Sequence, residues 1–132
     1  MRQKFRPDAV VIQCGADSLA YDRLGNYNTT LKGHGECVKH VKSWGLPMLV
    51  LGGGGYTIKN VARCWAYETG ICLGIELDNQ IPMNDFYEFY GNDYKLHFNV
   101  DHKIHIFRLS KMSPTLILRS IWTLCRQNVS RT

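Results

Sequence analysis

Two short apolar runs, each closed by glycine and each followed by a stretch of helical periodicity, set the frame within which this chain can fold. Ala9-Val10-Val11-Ile12-Gln13-Cys14-Gly15 is β-branched and nearly continuous, the pattern of a strand covered on both faces. Pro47 to Gly53 repeats it with Met48, Leu49, Val50 and Leu51. Between the two runs, Lys32 to Trp44 places Cys37, Val38, Val41 and Trp44 at helical spacing, and Gly45 before Pro47 is a stop signal. Thr57 to Leu73 offers Ile58, Val61, Ala62, Trp65 and Ile71 as the buried face of a second helix. The order strand, helix, strand, helix predicts an α/β fold, with two parallel strands joined by a right-handed crossover and helices flanking the sheet.

Beyond Leu77 the pattern is less regular. Pro82 and Phe86-Tyr87-Glu88-Phe89-Tyr90 read as a packed loop or short helix, and Tyr94 to Phe98 as strand-like. From about His102 the chain turns to Lys/Arg, Ser and scattered Leu/Ile, with a helix expected in Leu116 to Val129. The expected organisation is a body over residues 1–101 and a basic tail over 102–132.

The 132 residues carry 16 Lys/Arg against 11 Asp/Glu, a net charge of +5 with a pI near 9.0. Such an excess raises nucleic-acid binding, but its location argues against it. Ten Lys/Arg face ten Asp/Glu through Asn99, and six face the single Asp101 afterwards. Phosphate binding needs clustered positive charge on a folded face, so no direct nucleic-acid contact is expected of the body. The five cysteines (Cys14, Cys37, Cys64, Cys72, Cys125) are odd in number, far apart and without a C-x-x-C pair. That usage fits neither a disulfide framework nor a zinc finger. The N-terminus has no apolar stretch behind its charges, and no run approaches the roughly 18 apolar residues of a membrane span. A reduced, soluble, cytosolic or nuclear protein with no membrane contact is expected.

In open α/β sheets, ligands bind beyond the carboxyl ends of the strands. The first strand runs into Gly15-Ala16-Asp17-Ser18-Leu19 and the second into Gly52-Gly53-Gly54-Gly55-Tyr56-Thr57. Neighbouring strands lie about 4.8 Å apart, so Asp17 and Tyr56 are expected to converge on one small molecule. The glycines are not a Walker loop, because Gly-Lys-Ser/Thr is missing, nor a dinucleotide fingerprint, because Thr57 stands where the third glycine belongs. They read as a tight strand-to-helix turn, or as a glycine wall that admits a slender substrate beside Tyr56. Asp17 taken alone reads readily as a turn residue. His34 and His40 are six apart on a predicted helix, do not share an i, i+4 face, and read as structural. No histidine is expected near the strand ends, and His102 and His105 fall in the tail.

Three motifs in order carry a family resemblance. Gln13-Cys14-Gly15-Ala16-Asp17-Ser18-Leu19 with Asp22-Arg23-Leu24-Gly25 is similar to the Q-C-G-x-D-S-L-x-x-D-R-L-G segment of class I zinc-dependent histone deacetylases. Leu51-Gly52-Gly53-Gly54-Gly55-Tyr56-Thr57 and Asn60-Val61-Ala62-Arg63-Cys64-Trp65 resemble that family's L-G-G-G-G-Y-T and N-V-A-R-C-W. The resemblance continues to about Phe98, and it implies part of an arginase/deacetylase-type fold.

It also implies a chemistry. In the family a catalytic zinc is held by two aspartates and a histidine, and Asp17 matches the second aspartate. Tyr56 matches the tyrosine whose hydroxyl bonds the acetamide oxygen as water attacks. Gly53 and Gly54 would line the acyl-lysine tunnel, with Leu24 at its rim. Arg23 matches a residue that contacts an inositol phosphate in corepressor complexes. Lys59 stands where the family usually has a second arginine, so it keeps the charge and loses the bidentate fork. The family's paired histidines and its Asp-x-His ligands match nothing in this chain. The resemblance therefore implies the C-terminal part of a catalytic domain that acts on acetylated histone tails, with corepressor subunits as partners. A nuclear location is implied, with the cytoplasm as a second compartment. With one zinc ligand, the chain alone is expected to be inactive. Two other readings stay open: a truncated interaction module built around Arg23, and an amidohydrolase for small acetylated amines.

Overall fold

The computed structural model describes residues 2–99. The expected tail over 102–132, its helix, His102, His105 and Cys125 lie outside the described residues. A single helical turn, α1 (Arg2–Phe5), precedes β1 (Val10–Gln13), α2 (Leu31–Lys42), β2 (Met48–Leu51) and α3 (Ile58–Leu73). The strands pair in parallel with Val10 opposite Met48 and Gln13 opposite Leu51. The ladder is extended by Val10 N–H to Pro47 O at 2.9 Å and Cys14 N–H to Leu51 O at 2.7 Å. This is the expected βαβα core.

Local chemistry explains the helix limits. The Thr30 hydroxyl accepts from Gly33 N–H at 3.0 Å, which starts α2 at Leu31, one residue earlier than the apolar spacing predicts. α2 buries Leu31, Gly35, Cys37, Val38 and Val41, and α3 buries Asn60, Arg63, Cys64, Glu68 and Gly70. The two helices pack on each other. Ala16, Leu19, Leu31, Cys64 and Leu96 form the buried cluster, with Val61, Tyr67 and Phe98 against it. Burial shapes the thiols of this core: Cys14 is pushed up to about 12 and Cys37 to about 11, with Glu68 adding to both.

Three expectations are corrected. Of the face expected to be buried on α3, Ile58, Ala62 and Trp65 are exposed and Val61 and Ile71 half-buried, because the helix turns Asn60, Arg63, Cys64 and Glu68 inward to their polar and core partners. Strands read as covered on both faces are covered on one: Val10, Ile12, Met48 and Val50 are half-buried, whereas Val11, Leu49 and Leu51 on the other face are exposed. Among the described residues nothing packs over that face. The strand-like Tyr94 to Phe98 is not a strand, and pairs only through an isolated bridge between Gln80 and Lys95. Tyr94 sits at φ 50°, a left-handed conformation that breaks an extended run. The aromatic stretch before it forms 3₁₀ turns over Tyr87–Asp93, kinked at Gly91.

Arg63 fastens this irregular stretch to α3. Its guanidinium donates to Lys95 O at 2.8 Å, Tyr90 O at 2.9 Å and Asp93 Oδ1 at 3.1 Å, and it lies over the Tyr90 and Phe98 rings. Burial lowers its pKa, against Asp93 and Tyr90. With five donors in a planar fork, arginine can hold several carbonyls at once.

Candidate active site

The loops at the carboxyl ends of β1 and β2 are joined by Ala16 N–H, which donates to Gly54 O at 2.6 Å. Asp17 follows in a 3₁₀ turn, Ala16–Ser18, and is half-buried. Its carboxylate lies against the Gly54 backbone, where a Cβ would overlap Asp17 Oδ2. Gly25 is required for the same kind of reason, because a Cβ there would overlap the Asp17 carbonyl oxygen. Glycines from two loops thus make the room in which Asp17 sits.

Asp22 ties the same loops together. Its Oδ1 accepts from Leu24 N–H and Gly25 N–H, both at 2.9 Å, and its Oδ2 accepts from Tyr56 N–H at 2.8 Å. Thr57 adds a hydroxyl bond to Tyr21 O at 2.8 Å. Burial pushes the Asp22 carboxyl up, but the backbone of Tyr56, Gly25, Leu24 and Thr57 outweighs it and holds it below the usual carboxylate range. Asp22 belongs to a motif whose resemblance implies no role for it. The local signal was present, since Asp ahead of Leu-Gly is an Asx-turn pattern.

The result is one loop cluster holding Asp17, Leu24, Gly53, Gly54 and Tyr56. The Tyr56 backbone is clamped while its side chain is 44% exposed. Leu24 is exposed beside it, and Gly53 packs against Gln13 and Gly15. Arg23 is exposed on the Leu24 loop, and Lys59 is exposed at the start of α3. Lys59 lines a cleft of about 450 Å³ with Tyr21, Arg63, Tyr90, Asp93 and Phe98. Arg23 is not among the residues lining that cleft, so the two bases expected to share one anion do not share this cavity.

Beneath the Asp17 turn lies a partly buried histidine, contrary to the expectation that none comes near the strand ends. His34 Nδ1 is hydrogen-bonded to Glu68, and its Nε2 lies 3.0 Å from Gly15 O. The route is indirect: Thr29 N–H donates to Ser18 O at 2.9 Å, which brings the start of α2 up against the Asp17 turn. Burial works against charge on His34, but Glu68 and the Gly15 carbonyl outweigh it, so its pKa is raised. Its partner Glu68 is contributed by α3, which spacing along α2 could not reveal.

His34, Cys64 and Glu68 form the three-ligand cluster found among the described residues, with ligand atoms within 4.8 Å of one another. The Nδ1 of His34 is already bonded directly to Glu68, and burial, helped by Glu68, raises the Cys64 pKa and keeps that thiol protonated. This is the chemistry of an internal hydrogen-bonded group. Asp17 is not part of that cluster. A catalytic zinc needs three protein ligands, so this chain fits one corner of such a site and not the whole of it.

Residues 1–72 match the histone deacetylase domain, a span that contains β1, both strand-end loops, α2, β2 and nearly all of α3. The chain belongs to the histone deacetylase family. It is 60% identical over 97 residues to histone deacetylase 1 of Homo sapiens, covering 74% of this chain and 20% of that protein. It is 61% identical over 93 residues to histone deacetylase 19 of Arabidopsis thaliana, covering 70% of this chain and 19% of that protein. The class I resemblance of its motifs agrees with these identities. This deacetylase-family chain therefore spans about a fifth of the length of the curated relatives it matches. Asp17, Asp22, Tyr56, His34 and Glu68 all fall within the matched deacetylase domain.

Proposed function

We propose that this chain forms one side of a zinc-dependent lysine deacetylase active site, completed by other parts of a histone deacetylase catalytic domain. The observation that carries the reading is the joining of the two strand-end loops, which sets the Asp17 carboxylate against Gly54 two residues ahead of the clamped Tyr56. Asp17 supplies one oxygen ligand. When bound, zinc supplies polarisation of the acyl carbonyl and activation of water. The Tyr56 hydroxyl donates to the carbonyl oxygen as its negative charge develops, and the clamp on its backbone means little reorganisation at that moment. Gly53 and Gly54, without side chains, leave the slot in which an acyl-lysine lies, and Leu24 covers its mouth.

The substrates in this reading are acetylated histone tails, the setting is a nuclear corepressor complex, and the outcome is transcriptional repression. Arg23, outside the cleft that Lys59 lines, is the basic contact for an inositol phosphate at the partner interface, and Lys59 adds a separate point charge. The exposed sheet face of Val11, Leu49 and Leu51 supports the incompleteness of the unit.

The test is reconstitution. Human histone deacetylase 1 is rebuilt with this chain's residues in place of its matching 97-residue region, and zinc content and acetyl-lysine hydrolysis are measured beside the 132-residue chain alone. The rebuilt domain should bind zinc and turn over, and the chain alone should do neither. Asp17→Asn should release zinc, and Tyr56→Phe should keep zinc and lose roughly 100-fold in turnover. Full activity in Tyr56→Phe, or zinc retained in Asp17→Asn, overturns the reading.

A further inference from the structure

We propose that the buried Glu68 and the partly buried His34 are a positioning pair that fixes the Gly15–Ala16 peptide and so aims the Asp17 carboxylate. The inference rests on the role proposed for Asp17. Its basis is that one peptide unit is held at both of its polar ends. The Gly15 carbonyl receives His34 Nε2 at 3.0 Å, and the Ala16 N–H of the same planar unit donates to Gly54 O at 2.6 Å. With both ends held, the plane cannot swing, and the direction in which the chain enters Asp17 is set. Released at the carbonyl, the unit keeps a single bond about which it can turn.

A histidine alone does not suffice. A carbonyl can only accept, so Nε2 must carry a proton to bond Gly15. Glu68 on Nδ1 keeps the ring oriented and the donor on the correct side, wherever the proton between Nδ1 and the carboxylate resides. Such an outer partner, by fixing the ring, is how proteins orient groups around a metal site. Glu68 is itself fixed in α3 and 3% exposed. Trp65, on the same helix, donates its indole N–H to the preceding carbonyl, Cys14 O, at 2.9 Å. α3 therefore holds two successive carbonyls at the end of β1, one directly and one through His34. It also carries Tyr56 and Thr57 at its own start, so one helix sets the relative position of both strand-end loops. A buried ionisable pair is rarely better for stability than two apolar side chains of similar volume, which leaves the directed bond to Gly15 as its distinguishing contribution.

The experiment uses the reconstituted domain. Zinc affinity by chelator competition, kcat and KM, and melting temperature are measured for His34→Phe, Glu68→Leu and Glu68→Gln, with Val41→Ala as a control that thins the core of α2 without touching Gly15. His34→Phe and Glu68→Leu should each weaken zinc about 10-fold or more and lower kcat with KM unchanged. Glu68→Gln, which keeps a hydrogen-bond partner on Nδ1, should recover most of both. Val41→Ala should lower the melting temperature and leave zinc affinity alone. Should a single variant not fold, His34→Ile/Glu68→Leu removes both polar groups together and should show the same loss of zinc affinity. Wild-type zinc affinity in the His34 and Glu68 variants, or a loss no larger than Val41→Ala gives at equal melting temperature, overturns the proposal while the assignment of Asp17 stands. Zinc retained by Asp17→Asn overturns that assignment, and this inference with it.

Discussion

The carboxyl ends of β1 and β2 and the outer face of the same two strands adjoin in sequence and are quite different in finish. At the ends, the backbone is pinned from several directions: Cys14 by Trp65, Gly15 by His34, Ala16 by Gly54 and Tyr56 by Asp22. On the outer face, Val11 is 67% exposed, Leu49 54% and Leu51 45%. Two-stranded sheets are marginal by themselves, and parallel strands this apolar are normally covered on both sides. The contrast teaches that the candidate site is held by contacts made among the described residues, whereas the sheet beneath it calls for a surface that those residues do not provide.

The sharpest way to break the comparison is to disturb the end that looks complete. Gly25→Ala puts a Cβ into the Asp17 carbonyl, which is backbone and cannot yield as a side chain can, so unfolding of the reconstituted domain should ease by more than about 4 kcal/mol. Gly53→Ala meets chiefly the far end of the Gln13 side chain, which can turn aside, and should cost much less. Equal losses would mean that the loops are not held as described.

Asp22→Asn should have an intermediate effect of about 1–2 kcal/mol, since the amide keeps one acceptor oxygen for three donors. It carries a pH signature. The folded-state pKa of Asp22 is lowered, so its contribution is present above the unfolded value of about 3.9 and is lost as pH falls through the folded value. Melting curves from pH 6 downward should show the wild type losing part of its advantage over Asp22→Asn in the acid range. A constant difference at every pH would remove the charge from the explanation.

The smallest effect is expected on the bare face. Leu49→Lys should change the stability of the 132-residue chain by no more than about 0.5 kcal/mol, as for other surface positions. In the reconstituted domain the same substitution should cost about 2 kcal/mol or more, the loss of a buried leucine side chain together with the burial of a charge. The same small change in both settings would show that this face has no cover to lose.

Much of the fold was legible because it rests on short-range signals. Apolar runs ending in glycine became β1 and β2, and Gly45, at φ 68°, stands just past α2 where a helix stop was expected. The approach of Asp17 to the Tyr56 loop followed from parallel strands having neighbouring carboxyl ends. What the sequence does not disclose is long-range and polar. His34 meets Glu68 from another helix, Arg63 reaches carbonyls at Tyr90 and Lys95, and Asp22 reaches the Tyr56 amide. Hydrophobic periodicity says nothing about which buried polar groups will find each other, and in α3 the face around Asn60, Arg63 and Glu68 is buried in place of the one carrying Ile58, Ala62 and Trp65. Tyr94 to Phe98 failed for a related reason, because β-propensity in an aromatic stretch does not register one residue in a left-handed turn.

The depth of the cysteines offers a way to time the molecule. A thiol reacts as its thiolate, and burial raises the pKa of Cys14, Cys37 and Cys64, so alkylating reagents must wait for the protein to open at each of them. Cys37 sits on the buried side of α2 and Cys64 on that of α3, while Cys72 near the end of α3 is only half-buried. Among the four cysteines of the described residues, modification followed site by site in a mass spectrometer should therefore begin at Cys72 and reach Cys14, Cys37 and Cys64 at rates governed by local opening. Each helix carries its own stopwatch, and the lag between Cys72 and Cys64 measures how far fraying at one end of α3 is uncoupled from release of the other.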